Sequence, residues 1–118
     1  MFYPWSFSRV CTGELCVLRD DLGLLTDLDA QLLAISVDSK YVQRTFAERE
    51  GFTFPLLADF WPHGEVARRY GIFDAVAGVA LRGTFIVDRE GVLRWSIVRG
   101  IPDARDAQQY RDVLASLD

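Results

Sequence analysis

Two side chains set seventy-one positions apart, the thiol of Cys11 and the guanidinium of Arg82, carry the chemistry this chain could do. Cys11 closes the run Pro4-Trp5-Ser6-Phe7-Ser8-Arg9-Val10-Cys11, which places a hydroxyl three residues before the thiol and a proline four before the hydroxyl. Gly13-Glu14-Leu15 follows at once and reads as the first turn of a helix. Arg82 enters an apolar strand, Leu81-Arg82-Gly83-Thr84-Phe85-Ile86-Val87-Asp88. A thiol with its ordinary pKa near ~8.5 is only slightly ionised at neutral pH, and the thiolate is the nucleophile. First-turn amides at a helix start, a guanidinium that never titrates and a hydroxyl able to bond sulfur would all favour the thiolate. Pro4 has no N–H to satisfy and fixes the backbone beside them.

These groups need elements to hold them. Leu15, Leu18, Leu22 and Leu25 fall at steps of three and four, which predicts one amphipathic helix over 11–25 with Arg19, Asp20 and Asp21 on its solvated side. Residues 31–38 are mostly apolar and end in a polar turn, as a buried parallel strand does. Ser39 is an N-cap for a helix over 40–50, with Val42 and Phe46 inward and Gly51 as its stop. Residues 54–57 form a short strand whose Pro55 favours a sheet edge. A helix over 64–70 ends at Gly71, and the small residues 74–80 read as a loop. Thr84–Asp88 and Val92–Val98, joined by Asp88-Arg89-Glu90-Gly91, predict an antiparallel hairpin. The last helix starts at Asp103, taking Arg105 and Asp106 into that start, and sets Ala107, Tyr110, Val113, Leu114 and Leu117 on one face. This order predicts a three-layer α/β domain. Of the strand that should feed the helix of Cys11 only Phe2-Tyr3 is present.

The bulk composition fits one soluble globular domain over 1–118, with half the residues hydrophobic and a quarter charged. A net charge of −4 gives no reason to expect nucleic acid or an anionic membrane as partner. No apolar run approaches the ~20 residues of a membrane helix, and no basic-then-apolar leader opens the chain, so a cytoplasmic location is expected.

Pro4, Ser8 and Cys11 at these spacings, with Arg82 downstream, resemble the signature of the peroxiredoxins, the AhpC/TSA superfamily of thiol peroxidases. The segment Gly51–Gly64 and Arg82-Gly83-Thr84-Phe85 are most similar to the one-cysteine, AhpE-like subgroup of actinobacteria. The resemblance implies a thioredoxin-like fold, a central mixed sheet flanked by helices, of which the chain covers about the C-terminal three-quarters and lacks the first strands. Within that fold it implies a place for Phe2-Tyr3 mid-sheet, between Leu32–Asp38 and Thr84–Asp88. It implies reduction of hydrogen peroxide, alkyl hydroperoxides or peroxynitrite through a sulfenic acid on Cys11. Arg82 and Ser8 would activate the thiol and position the peroxide, Pro4 would shape the pocket, Glu14 would hold the fork of Arg82, and Thr84 would stand behind these residues. The sulfenic acid would be reduced by a thioredoxin- or mycoredoxin-like protein or a low-molecular-weight thiol. A homodimer is expected by the same resemblance, with the aromatics near residues 5 and 61 as its contact. No metal, flavin or haem is called for.

Alone, a free cysteine is more often a small inert hydrophobe than a nucleophile. The joint match with Arg82 reverses that balance. Cys16 follows Cys11 by five residues, the spacing of the resolving cysteine in the bacterioferritin-comigratory subgroup, whereas the AhpE-like features favour a single working thiol. Both readings stay open. Phe60-Trp61-Pro62-His63 is read as core or subunit contact rather than catalytic, and His63 has no metal-ligand spacing around it. The competing functional class is a truncated thioredoxin-fold remnant, an interaction module without peroxidase activity, because losing a central strand would expose its neighbours.

Overall fold

A computed structural model describes residues 1–117, apart from the side chains of Ala107 and Tyr110. The expected place of those two side chains on the last helix lies outside the described residues. The first three residues hold the middle of the sheet. Phe2 pairs in parallel with Ile35, whose N–H donates to Met1 O at 2.8 Å, while Tyr3 N–H donates to Ile35 O at 3.0 Å. On the other side Phe2 N–H donates to Gly83 O at 2.7 Å. These bonds join β1 (Ala34–Ser36) to β5 (Arg82–Val87) through residues 1–3. Outward, β1 pairs in parallel with β2 (Leu56–Ala58), and β5 pairs antiparallel with β6 (Leu93–Arg99). The result is a mixed sheet in which the strand before Cys11 is short but in place.

Alternation along these strands separates two apolar layers. Tyr3, Ala34 and Ile86 face one core, against Cys11, Leu15 and Leu18 of α1 (Arg9–Asp20), Leu25 of α2 (Leu22–Asp27) and Phe46 of α3 (Lys40–Glu50). Leu114 of α5 (Ala107–Ser116) packs on the same core. Phe2, Ile35 and Phe85 point the other way, against Ala67 of α4 (Glu65–Arg69), Ile72 and Ala80. Each fully buried large side chain contributes about 1.5–3 kcal/mol, so both layers hold the strand ends beneath the thiol. Past Met1, an apolar cleft of about 610 Å³ opens along Leu18, Leu25, Leu32 and Phe85.

Several elements differ from the sequence expectations. The helix foreseen over 11–25 is two helices that break at Asp21, which Arg111 Nη1 holds at 2.8 Å. Gly23 weakens the helix just beyond, and the bend still delivers Leu25 to the core. The strand foreseen over 31–38 contracts to Ala34–Ser36. In α3 the inward polar residue is Gln43, whereas Val42 is exposed. Gln43 Nε2 donates to Ser36 Oγ at 3.1 Å and to Leu57 O at 2.6 Å, bonds that hydrophobicity counting does not register. The loop over 74–80 contains a small hairpin, β3 (Phe73–Asp74) with β4 (Val79–Ala80). Asp74 Oδ1 makes it by accepting the N–H groups of Val76 and Ala77, an Asx turn. The last helix begins at Ala107, capped by Asp106, because Arg105 is drawn inward instead of starting it.

Candidate active site

Cys11 lies in the first turn of α1 and is fully buried. Ser8 caps that helix, its Oγ accepting the Cys11 N–H at 3.3 Å. The hydroxyl therefore bonds the cysteine's backbone, not its sulfur as the sequence suggested. Pro4 is fully buried one turn of chain earlier. Its loop is tied to the sheet: Asp38 Oδ2 accepts the Ser6 N–H at 2.8 Å and the Ser36 hydroxyl at 2.7 Å, while the Tyr3 and Ser6 hydroxyls share a bond at 3.0 Å. Burial pushes the Tyr3 phenol above its ordinary range, which keeps it protonated in that network.

Strand β5 brings Arg82 to the thiol. Nη1 lies 3.2 Å from Cys11 Sγ and 2.6 Å from Glu14 Oε1, and Nε donates to Ile101 O at 2.6 Å. Glu14, one turn after Cys11, is the hub of the cluster. Arg105 reaches it through its backbone N–H and its Nε, at 2.7 and 2.9 Å to Oε2, and through Nη2 at 3.0 Å to Oε1. Arg105 Nη1 also donates to Phe2 O, Gly83 O and Thr84 Oγ1, at 2.7, 2.9 and 3.2 Å. Thr84 thus stands behind the site through Arg105. The side chains of Glu14, Arg82 and Arg105 are at most 4% exposed.

Burial pushes the Glu14 carboxyl up, but the Arg105 hydrogen bonds and charge, with Arg82 behind them, outweigh it and hold the group below the usual carboxylate range. Two guanidiniums and one carboxylate sum to one positive charge in a buried place. That charge lies beside the Cys11 sulfur, 3.2 Å from Arg82 Nη1.

Sequence reasoning missed Arg105, Asp38 and Gln43. Arg105 sits between Asp103 and Asp106 and looks like part of a solvated helix start; the one available signal was Pro102, which forces an extended approach before any helix. Cys16 stands apart from the cluster, its Sγ donating to Glu50 Oε2 at 3.5 Å. Burial, then the Glu50 bond, pushes its thiol above the ordinary range. Five residues of helix separate two side chains by about 7.5 Å of rise and ~140° of rotation, so a Cys11–Cys16 disulfide requires the start of α1 to unwind. Trp61 is 82% exposed and Phe60 is also exposed, so neither belongs to the core, and Trp5 is partly exposed. The only histidine, His63, is bonded through Nε2 to Gly78 O.

The profile of the AhpC/TSA family matches residues 1–96, the stretch that holds Cys11, Glu14, Arg82 and every strand but the end of β6. The chain belongs to this family. Alkyl hydroperoxide reductase E of Mycobacterium tuberculosis is 45% identical over 117 residues, covering 99% of this chain and 76% of its own length. Thioredoxin peroxidase of Echinococcus granulosus is 35% identical over 115 residues, covering 92% of this chain and 58% of its own. Among solved structures, AhpC of Enterococcus faecalis superposes with a TM-score of 0.89 at 33% identity, over 98% of this chain and 71% of that one. The thioredoxin-like fold expected from the family is the fold observed.

Proposed function

We propose that the protein is a thiol-dependent peroxidase in which Cys11 is the nucleophile. The observation that carries the reading is the single Arg82 Nη1 held 3.2 Å from Cys11 Sγ and 2.6 Å from Glu14. The Cys11 thiolate attacks one oxygen of a hydroperoxide; the S–O bond forms as the O–O bond breaks. The electron pair leaves on the departing oxygen, which takes a proton to become water or an alcohol, and Cys11 becomes a sulfenic acid. Negative charge moves from sulfur to oxygen along this path. A guanidinium already aimed at the sulfur follows it with little reorganisation, which lowers the barrier rather than only binding substrate. Ser8 fixes the turn that carries the thiol, and Pro4 walls it. The names of relatives, among them alkyl hydroperoxide reductase and thioredoxin peroxidase, support this reading, and the inactive-remnant alternative is not favoured.

Reduction of the sulfenic acid falls to an external thiol, either a thioredoxin- or mycoredoxin-like protein or a small thiol, because the Cys16 side chain is turned to Glu50. The exposed Trp61, Phe60 and Trp5 are the surface this reading gives to a homodimer. Among the described residues no helix is long and apolar enough to cross a membrane. The test is chemical. After one equivalent of hydrogen peroxide, a sulfenic-acid-selective label should appear on the peptide containing Cys11; a label confined to Cys16, or none, would overturn the assignment.

A further inference from the structure

Beside the turn that buries Cys11 lies a shallow groove lined by Phe7, Arg9, Thr12, Arg49 and Glu50. Three of these residues belong to the segment around the thiol, and two come from the end of α3. Most basic side chains in the structure are paired, and Arg19, Arg82 and Arg105 all have carboxylate partners. Arg9 and Arg49 make no ion pair among the described residues, and both are exposed. Arg49 lies over the ring of Phe7, 5.8 Å from its centroid, and that ring is anchored 4.9 Å from Phe46. Phe7 takes this place with a left-handed backbone (φ 68°), a conformation a bulky residue seldom adopts. Glu50 also lines the groove, and its carboxylate is turned to the Cys16 thiol at 3.5 Å and to Arg19 at 3.8 Å, leaving Arg9 and Arg49 as the groove's two positive charges against one negative.

We propose that this groove holds the carboxylate of the molecule that reacts at Cys11. Two guanidiniums without counter-ions, one of them stacked on an aromatic ring, and the Thr12 hydroxyl provide charge and hydrogen bonds for a carboxylate, with apolar surface for the chain attached to it. The inference rests on the peroxidase reading and adds the chemical class recognised there. The carboxylate could arrive on an organic hydroperoxide in the oxidative step. It could equally arrive on a small thiol in the reductive step, where the thiol sulfur bonds to the Cys11 sulfenic sulfur and water leaves. A second thiol then attacks the mixed disulfide, giving a small disulfide and free Cys11.

The experiment compares acid and ester of one compound. In the oxidative arm, the rate of Cys11 oxidation is measured with the hydroperoxides of linoleate and methyl linoleate, below micellar concentrations. In the reductive arm, the oxidised protein is treated with mercaptoacetate or its methyl ester, with rates referred to thiolate concentration. The expected acid-to-ester ratio is about fivefold to thirtyfold in at least one arm, the gain two partly exposed ion contacts supply. The arm that shows it identifies the source. The ratio should fall towards one in Arg49→Gln and in Arg9→Gln. It should fall likewise in the wild type when the salt is raised from ~0.1 to ~1 M, where screening shortens to about 3 Å. The salt series needs no variant to fold. A ratio near one in both arms, with hydrogen peroxide still consumed rapidly, overturns the groove and leaves the peroxidase reading standing. Consumption of hydrogen peroxide no faster than by a free thiol overturns both.

Discussion

Replacing Glu14 by glutamine keeps the shape of the hub and removes its charge. In the wild type its two oxygens accept four donors at 2.6–3.0 Å: Arg82 Nη1 and the Arg105 N–H, Nε and Nη2. Glutamine offers one oxygen, and its amide N–H groups confront the guanidiniums. Both arginines then remain buried, at 1–2% side-chain exposure, without their carboxylate. Removing one partner of a buried ion pair costs about 3–5 kcal/mol, and Glu14 serves two partners, so the loss should fall at the upper end. Urea unfolding followed by fluorescence of the three tryptophans measures it directly. The dependence on acid gives a second readout. Because the folded Glu14 pKa lies below its unfolded value, its contribution is complete above the unfolded pKa and disappears as pH falls through the depressed value. The wild type should therefore lose this stability below about pH 4.3, and Glu14→Gln should show a shallower acid limb. A stability loss under about 1 kcal/mol, or acid limbs of equal slope, would refute the hub.

Other outcomes follow from single contacts. Ser8→Ala removes the cap on the Cys11 amide and should cost about 1 kcal/mol in urea unfolding while slowing peroxide consumption. Gly64→Ala places a Cβ against the Phe73 ring at a φ of +72°, so its melting temperature should drop by several degrees, consistent with a loss above about 1 kcal/mol. In Cys16 the thiol is held protonated, first by burial and then by Glu50, so iodoacetamide should modify it slowly at neutral pH, and one equivalent of peroxide should leave no Cys11–Cys16 disulfide on peptide mapping.

The proximity of Cys11 and Arg82 was legible through the joint resemblance of their two segments to the family signature; an arginine entering an apolar strand agreed with it but did not alone exclude a surface position. The mid-sheet position of Phe2-Tyr3 followed from the fold that the family resemblance implies, not from residues 1–3 themselves. Element ends were less legible. Ala34–Ser36 is shorter than its apolar run because strand length depends on how far neighbours pair, and that information lies in residues 1–3 and 56–58. Arg105 was hidden for a different reason. Its flanking aspartates satisfy every local rule for a helix start, and only the long-range demand of a buried Glu14, ninety-one positions earlier, turns it inward. Gln43 reads as a surface residue until the Leu57 carbonyl and the Ser36 hydroxyl that it reaches are known. Polar residues recruited by distant buried partners leave no periodic trace.

The most direct test of the account is the rate at which the protein consumes hydrogen peroxide at neutral pH, compared with Cys11→Ser and Arg82→Met. The account predicts rapid, stoichiometric consumption by the wild type, none by Cys11→Ser, and a rate at least about a hundredfold lower in Arg82→Met, the scale of losing one donor to the developing oxyanion. Wild-type consumption matching that of free cysteine, or an Arg82→Met rate equal to the wild type, would contradict it.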